Sequence, residues 1–402
     1  MEWVKLGDVV EFVLSGEWGK EVTDLTKTAS PVIRTTNFNN DGTIDYKDIV
    51  YRDIDLEKKQ DKLIKKGDIL IEKSGGSPNQ PVGRVVYFEA EDSKFFNNNF
   101  TSILRLNSDY HSKYIFYLFR YLYKIGVVNK FQNKTTGIIN LKLKDYLQQT
   151  NILIYKDKEE QKVCSESLDL IFDIITTRKA QIAALDELVQ SVFYDMFGEN
   201  NKYRKNFPLT PLNKIGIVRS SRRVFKADYV EDGVPFYRGK EITELSKNKN
   251  IEIELFISKD KYKELREISG VPSVGDLMIT SVGTIGNIWI VNNKESFYFK
   301  DGNILWFLPD KNICNSEYLK FSIELAIKSK LKSLTSGTSY KALTISNLEN
   351  LEIPIPPLEL QEQFAAKVEE IEAQKAKLQT SLEEMEILFD ALMQEAFNGN
   401  LG

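Results

Sequence analysis

Leu358 to Phe397 reads LELQEQFAAKVEEIEAQKAKLQTSLEEMEILFDALMQEAF, and Lys158 to Phe197 reads KEEQKVCSESLDLIFDIITTRKAQIAALDELVQSVFYDMF. In the later stretch Phe364, Val368, Ile371, Lys375, Leu378, Leu382, Met385, Phe389, Leu392 and Ala396 follow each other at alternating spacings of four and three. Cys164, Leu168, Ile171, Ile175, Arg178, Ile182, Leu185, Val189, Val192 and Met196 do the same in the earlier one. Such spacing places one apolar seam along a long helix, and a seam of that length requires a partner helix. Each seam is interrupted once by a basic residue, Arg178 or Lys375.

The two stretches belong to a duplication that extends through the whole chain of 402 residues. Residues 151–198 overlie 351–398 at a constant offset, matching Gln161 with Gln361, Leu188 with Leu388 and Phe197 with Phe397. Further upstream, PVIR from Pro31 answers PFYR from Pro235, KGDIL from Lys66 answers VGDLM from Val274, and SKYI from Ser112 answers SEYL from Ser316. The offsets drift there, as they do when loops change length on a shared scaffold. The chain therefore reads as a globular domain over 1–150, a helical spacer over 151–200, a second globular domain over 201–350 and a second spacer over 351–402. Strand-like runs such as DILI from Asp68, RVVYF from Arg84, DLMIT from Asp276 and NILWFL from Asn303 make the globules mixed α/β (α+β). One helix is expected in each, starting at Ser112, itself a plausible cap, and at Ser316. The aromatic run Tyr114 to Phe119 reads as a buried helix face. Antiparallel pairing of the two seams would return the chain to its first globule and give an internal pseudo-two-fold.

Composition removes several functions. The two cysteines, Cys164 and Cys314, have no Cys or His neighbour, so a disulfide framework and a zinc site both lack ligands. The one histidine, His111, is expected on the surface and leaves no room for a His-dependent triad. No GxxxxGK[ST] loop is present, and no apolar run approaches the length of a membrane span. Neither a metal nor a cofactor is expected, and the compartment reads as cytoplasmic.

A net charge of −4 hides a separation of charge. Residues 157–198 hold four Lys or Arg against nine Asp or Glu, and residues 359–402 hold three against ten. The remainder holds 47 basic residues against 39 acidic ones, so the globules are basic and the helices acidic. Basic and amide side chains at loop positions are the groups that grip phosphates and read base edges. On that ground Arg34, Asn37, Lys73 and Arg84 in the first globule are candidate DNA contacts, with Arg219, Arg222, Arg238, Lys240 and Lys341 in the second. A glycine loop follows the GD strand in each globule, KSGGSPNQPVGR from Lys73 and SVGTIGN from Ser281, and is five residues longer in the first. Its glycines could let a backbone approach a phosphate or could form a plain hairpin turn.

The residues that carry a family resemblance are GDLMITSVGTIGN from Gly275 and SGTSYKALTISNLENLEIPIPPLELQEQF from Ser336 to Phe364. Weaker counterparts are GDILIEKSGG from Gly67 and TTGIINLKLKDYLQQTNILIYKDKEEQ from Thr135. On these the chain resembles, over essentially its whole length, the DNA-specificity subunit of Type I restriction-modification systems. The resemblance implies two target-recognition domains that each read one half of a bipartite double-stranded DNA sequence. It also implies helices that space those domains and dock two methyltransferase (modification) subunits, with room for restriction or translocase subunits. No catalytic activity is expected of this polypeptide, whose Pro356-Pro357 pair lacks the flanks of a [DNS]PP[YFW] methyltransferase signature. A specificity subunit of a methylation-only system, a protein-binding scaffold and a metal-dependent nuclease are the other readings.

Overall fold

A computed structural model describes residues 1–22, 29–77, 80–91, 94–135, 138–198, 207–292, 294–334 and 342–398. The helices are α1 (Ser112–Lys124), α2 (Leu143–Gln149), α3 (Lys158–Phe197), α4 (Gly239–Leu245), α5 (Lys259–Ser269), α6 (Ser316–Leu334), α7 (Ile345–Glu349) and α8 (Leu358–Asn398). The chain divides into two compact units, Met1–Ala180 with Gln379–Gly402, and Gln181–Leu378.

In the first unit, strand Glu2–Lys5 pairs antiparallel with Asn151–Ile154, so the globule's first and last strands lie side by side. A four-stranded sheet runs in the order Val10–Ser15, Thr101–Leu106, Ile69–Glu72, Val85–Tyr87. Ile69–Glu72 is buried at every position: the apolar run Ile69–Ile71 suits a strand covered on both faces, and Glu72 is paired with Arg84. The Asp of the GD motif closes the turn into this strand: Asp68 accepts from the Lys65 backbone N–H at 2.7 Å and pairs with Arg105. Helix α1 buries Tyr114 through Phe119, as its aromatic run implies.

The second unit repeats this frame. Leu209–Pro211 pairs with Glu352–Pro354, and a sheet runs Gly216–Arg219, Ile304–Pro309, Leu277–Thr280, Ile288–Ile290. Alternate residues of the central strand face two cores. Leu277 and Ile279 meet Leu319, Ile323 and Ile327 of α6, while Met278 joins Trp306, Tyr237 and Ile242 of α4. Asp276 accepts from the Ser273 N–H at 2.8 Å and from Trp306 Nε1 at 2.9 Å.

Three local expectations change. The first globule holds α2 besides α1, and the second holds α4, α5 and α7 besides α6; α5 starts on the Ser258 cap but buries only Leu265, which is too little to give a readable apolar period. Ser112 begins α1 without capping it, since its hydroxyl meets Tyr87 Oη at 2.8 Å, whereas α6 is capped by Asn315. His111 is half-buried, with Nδ1 3.0 Å from Ser165 Oγ, and burial holds its pKa below the usual value.

The long helices lie antiparallel within each unit. Phe172 meets Phe389 and Lys179 pairs with Glu386 in the first; Asp186 pairs with Lys375 and Phe193 meets Phe364 in the second. Every seam residue is buried or half-buried. Lys375 interrupts the seam because its ammonium reaches across to Asp186. Burial pushes the Cys164 thiol up to about 11 and that of Cys314 up to about 12, which makes both poor nucleophiles.

One buried amide fastens each globule to its helix. Gln161 Oε1 accepts from the His111 N–H at 2.8 Å and Nε2 donates to the Tyr155 carbonyl at 2.8 Å. Gln361 Oε1 accepts from the Asn315 N–H at 2.9 Å, and Nε2 donates to the carbonyls of Pro356 (2.8 Å) and Ile313 (3.1 Å). The far end of a long helix docks on the same helix of each globule, Phe397 on Tyr114 at 5.1 Å and Phe197 on Tyr318 at 4.9 Å.

Gln361→Leu, which orphans three buried main-chain groups, should cost roughly 3 kcal/mol at ~1 kcal/mol or more per group. Gln161→Leu orphans two and should cost less; urea unfolding of the two variants checks the order. Burial pushes the carboxyl of Glu324 on α6 up to about 7, with Lys320 opposing the rise and Glu317 adding to it. The folded state then holds a proton that the unfolded state has released, so stability falls as pH rises from the ordinary Glu value towards 7. Glu324→Gln should raise the melting temperature at pH 8 by a few degrees, of the order expected for ~1 kcal/mol, and the gain should vanish near pH 5.

Candidate nucleic-acid interface

In each globule the turn after the PxxR motif lies beside the glycine loop. In the first, the Arg34 N–H donates to Asn37 Oδ1 at 2.9 Å, and Asn37 Nδ2 donates to the carbonyls of Asp45 (3.0 Å) and Asp48 (3.1 Å). The Arg34 guanidinium holds Asp48 at 2.8 Å. Arg84, at the far end of the glycine loop, reaches back across it: Nε donates to Glu72 at 2.9 Å, Nη1 to the Phe38 carbonyl at 3.1 Å and Nη2 to the Thr35 carbonyl at 3.3 Å. Asn39, Asn40, Ser77 and Gln80 line the mouth of the cleft beside it.

The second globule builds the same juxtaposition from other side chains. The Arg238 N–H donates to Glu241 Oε2 at 2.7 Å, and its guanidinium holds Glu241 at 2.8 Å and Glu254 at 2.7 Å. Lys240 joins Glu254 at 2.5 Å, and these two cations hold the Glu254 carboxyl down to about 2. Thr243 on α4 meets Thr284 of the glycine loop at 3.1 Å and accepts from Asn287 Nδ2 at 3.1 Å. Asn40, Gln80, Thr243, Thr284 and Asn287 are site residues that reading for charge passes over. The signal that finds them is the adjacency of the same two duplicated loops.

The glycines divide into two kinds. Gly83 and Gly286 pack against Val128 and Ile327 so closely that a Cβ would stand 2.4 and 2.9 Å from those side chains. Gly75 and Gly283, equivalent to each other, adopt φ of +110° and +76° with nothing within 4 Å of a Cβ position. That backbone is open to a ligand in both globules.

The candidate contacts take different positions. Arg34, Asn37 and Arg84 come together, but Asn37 is buried with its amide spent on the loop, and Arg84 serves Glu72, which is 3% exposed. Lys73 stands apart, half-buried beside Ser15, Ser102 and Lys144, and burial, then Lys62, lowers its pKa. Arg238 and Lys240 share Glu254, while Arg219, at the end of its strand, and Arg222, on the loop that follows, lie exposed. Lys341, with the rest of the Ser336–Lys341 motif, lies outside the described residues. Exposed pairs such as Lys240 with Glu254 contribute little and can exchange partners for a phosphate, whereas Arg84 with Glu72 cannot. Among the described residues, no group of His, Cys, Asp or Glu is set to hold a metal ion, and no helix is long and apolar enough to cross a membrane.

Arg84→Met, by stranding Glu72, should therefore destabilise the chain by ~3 kcal/mol or more. Lys240→Met should leave the stability of the parent unchanged, because its ammonium is solvent-exposed. Denaturant unfolding of the full chain distinguishes the two.

The family model of the Type I restriction modification DNA specificity domain matches twice, over residues 1–186 and 207–386. A Haemophilus influenzae protein named as a type I restriction enzyme specificity subunit is 28% identical over 162 residues, 40% of this chain and 39% of that protein. A Methanocaldococcus jannaschii protein named as the MjaX specificity subunit is 24% identical over 395 residues, covering 92% of this chain and 86% of its own. Among solved structures, the S subunit of a Type I restriction-modification system from M. genitalium superposes with a TM-score of 0.60 at 15% identity, over 99% of this chain and 96% of that one. A chain from a type I R-M structure that addresses complex assembly gives 0.55 at 16% identity, over 98% and 97%. The chain belongs to the Type I restriction-modification DNA specificity family and carries the family's domain twice.

Proposed function

We propose that the chain is the sequence-reading subunit of a type I restriction-modification assembly, acting in the cytoplasm on double-stranded DNA. Each globule reads one half of a bipartite target, and the helices space the halves and dock two methyltransferase subunits. The observation that carries the reading is a frame kept twice with its loops rewritten. The sheet order, the strand tie and the buried glutamine recur, while Asn39, Asn40 and Gln80 in one globule give way to Thr243, Thr284 and Asn287 in the other. Two readers that share a frame and differ in the segments joining its elements suit two different half-sites.

Docking is supported by the helices' acidity and by side chains that stand out of the seams. Val163 (61% exposed), Leu170 (64%) and Ile387 (70%) do so in the first unit and Tyr194 (55%) in the second. Methyl transfer and cleavage are assigned to the partners, because the sequence carries neither the [DNS]PP[YFW] nor the phosphate-loop signature. In this assignment the chain supplies orientation and the partners supply the chemistry.

Replacing residues 207–350 by the corresponding globule of a relative should change one half of the methylated sequence and leave the other intact. Methylome sequencing of cells carrying the chimera is the test. Alteration of both halves would show that the globules do not read independently.

A further inference from the structure

The segment Arg219–Lys226, RSSRRVFK, which is the end of a strand and the loop after it, turns its hydrogen-bonding groups inward and its charges outward. Ser221 Oγ donates to the Phe299 carbonyl at 2.6 Å, the Arg222 N–H donates to Tyr298 Oη at 2.9 Å, and Val224 is buried with Val234, Phe236, Ile257 and Tyr298. Arg219, Arg222, Arg223, Phe225 and Lys226 are exposed. Arg219 is steered by the Trp306 ring, 5.8 Å away, and Arg223 by Asp301 at 3.3 Å. The Arg222 guanidinium has no partner among the described residues.

Phe225 is the feature that charge does not explain. It is 63% exposed, and no other aromatic ring among the described residues of the second globule is mostly exposed. An isolated surface phenyl would mean nothing. This one stands on a fixed backbone: its N–H donates to Asp228 Oδ2 at 2.8 Å and its carbonyl accepts from the Asp228 N–H at 2.9 Å. Cations flank it on both sides in sequence. A rigidly backed apolar ring set among cations fits a surface on which phosphates border stacked bases, where Phe side chains enter base steps. The corresponding stretch of the first globule carries Trp18 instead, half-buried under the Arg52 guanidinium at 4.1 Å, and Glu17 holds Lys59 and Lys62.

We propose that Arg219, Arg222, Arg223 and Lys226 seat this loop on duplex DNA and that Phe225 acts as an apolar wedge at one base step of the second half-site, a specificity-determining contact without a counterpart in the described part of the equivalent stretch of the first. The proposal rests on the reading of the second globule as a DNA reader. It also implies that part of the second half-site is selected for its readiness to unstack.

The test uses the full chain assembled with its partner subunits and two duplexes, one carrying the sequence found methylated in the host and one scrambled. 2-Aminopurine is placed in turn at each step of the second half-site. The parent assembly should brighten the probe at one step, and Phe225→Ala should abolish that signal and lower discrimination between the duplexes by ~5- to 100-fold, the usual effect of one lost base contact. Phe225→Trp should retain both. Arg222→Ala should weaken binding to both duplexes alike and reduce the salt slope by about 1. Because Phe225 is exposed, unchanged melting temperatures are expected and keep the comparison clean. Unaltered probe signal and discrimination in Phe225→Ala would overturn the wedge, as would loss of a partner subunit from that variant with DNA binding intact. A parent assembly that binds neither duplex would instead overturn the underlying reading of the globule.

Discussion

A primary amide taken out of water must find partners for both its ends, and in this chain that requirement is met only at one setting of each long helix. Gln161 and Gln361 are fully buried, and each bonds main-chain groups from two segments, the residue before α1 or α6 and the extended entry to the helix. An α-helix advances by about 100° per residue, so a slip of one position would swing the amide away and strand those groups. The clamp therefore fixes the rotational phase of each helix against its globule, and with it the direction in which the seam faces. Packing of Phe397 on Tyr114, and of Phe197 on Tyr318, has meaning only once that phase is set.

Around equal clamps the electrostatics have diverged. Lys113 on α1 pairs with Asp169 at 3.1 Å and with Glu89 at 2.8 Å. The equivalent position on α6 is Glu317, which faces Glu369 and Glu372 and is raised by burial before those charges. Arg120, two turns further along α1, lies 5.5–5.8 Å from four aromatic rings, Phe116, Tyr117, Phe172 and Phe389, and its counterpart is the half-buried Glu324. The first joint is held by opposite charges and ring faces. In the second, burial raises the pKa of both carboxyl groups, which keep their protons to higher pH than an exposed Glu does.

The helical seams were readable because a spacing of four and three survives any rearrangement of the globules. Phe193, Phe197, Met393 and Phe397 lie off those seams and are nonetheless buried, because helix ends are covered on a second side by a globule that periodicity cannot register. Leu188 and Leu388, aligned by the duplication, are 44% and 41% exposed for the complementary reason. In the loops, residue type identified the right segments but not the direction of the side chains. Arg84 and Asn37 look like contacts until Glu72 and the carbonyls of Asp45 and Asp48 claim them, and those partners come from distant positions in the chain. Phe225 escaped notice because strand-rich globules contain many phenylalanines and only burial separates them.

The pairing of each globule's first strand with its last, Glu2–Lys5 with Asn151–Ile154 and Leu209–Pro211 with Glu352–Pro354, has an evolutionary consequence. Whatever happens between those strands, entry and exit remain adjacent, so changes of loop length are absorbed inside the globule. The glycine loop has gained or lost five residues without disturbing the glutamine that follows it. Selection can then act on what a globule recognises as one variable and on the helices as another, and a lineage can acquire a new recognition surface by recombination within a single closed cassette.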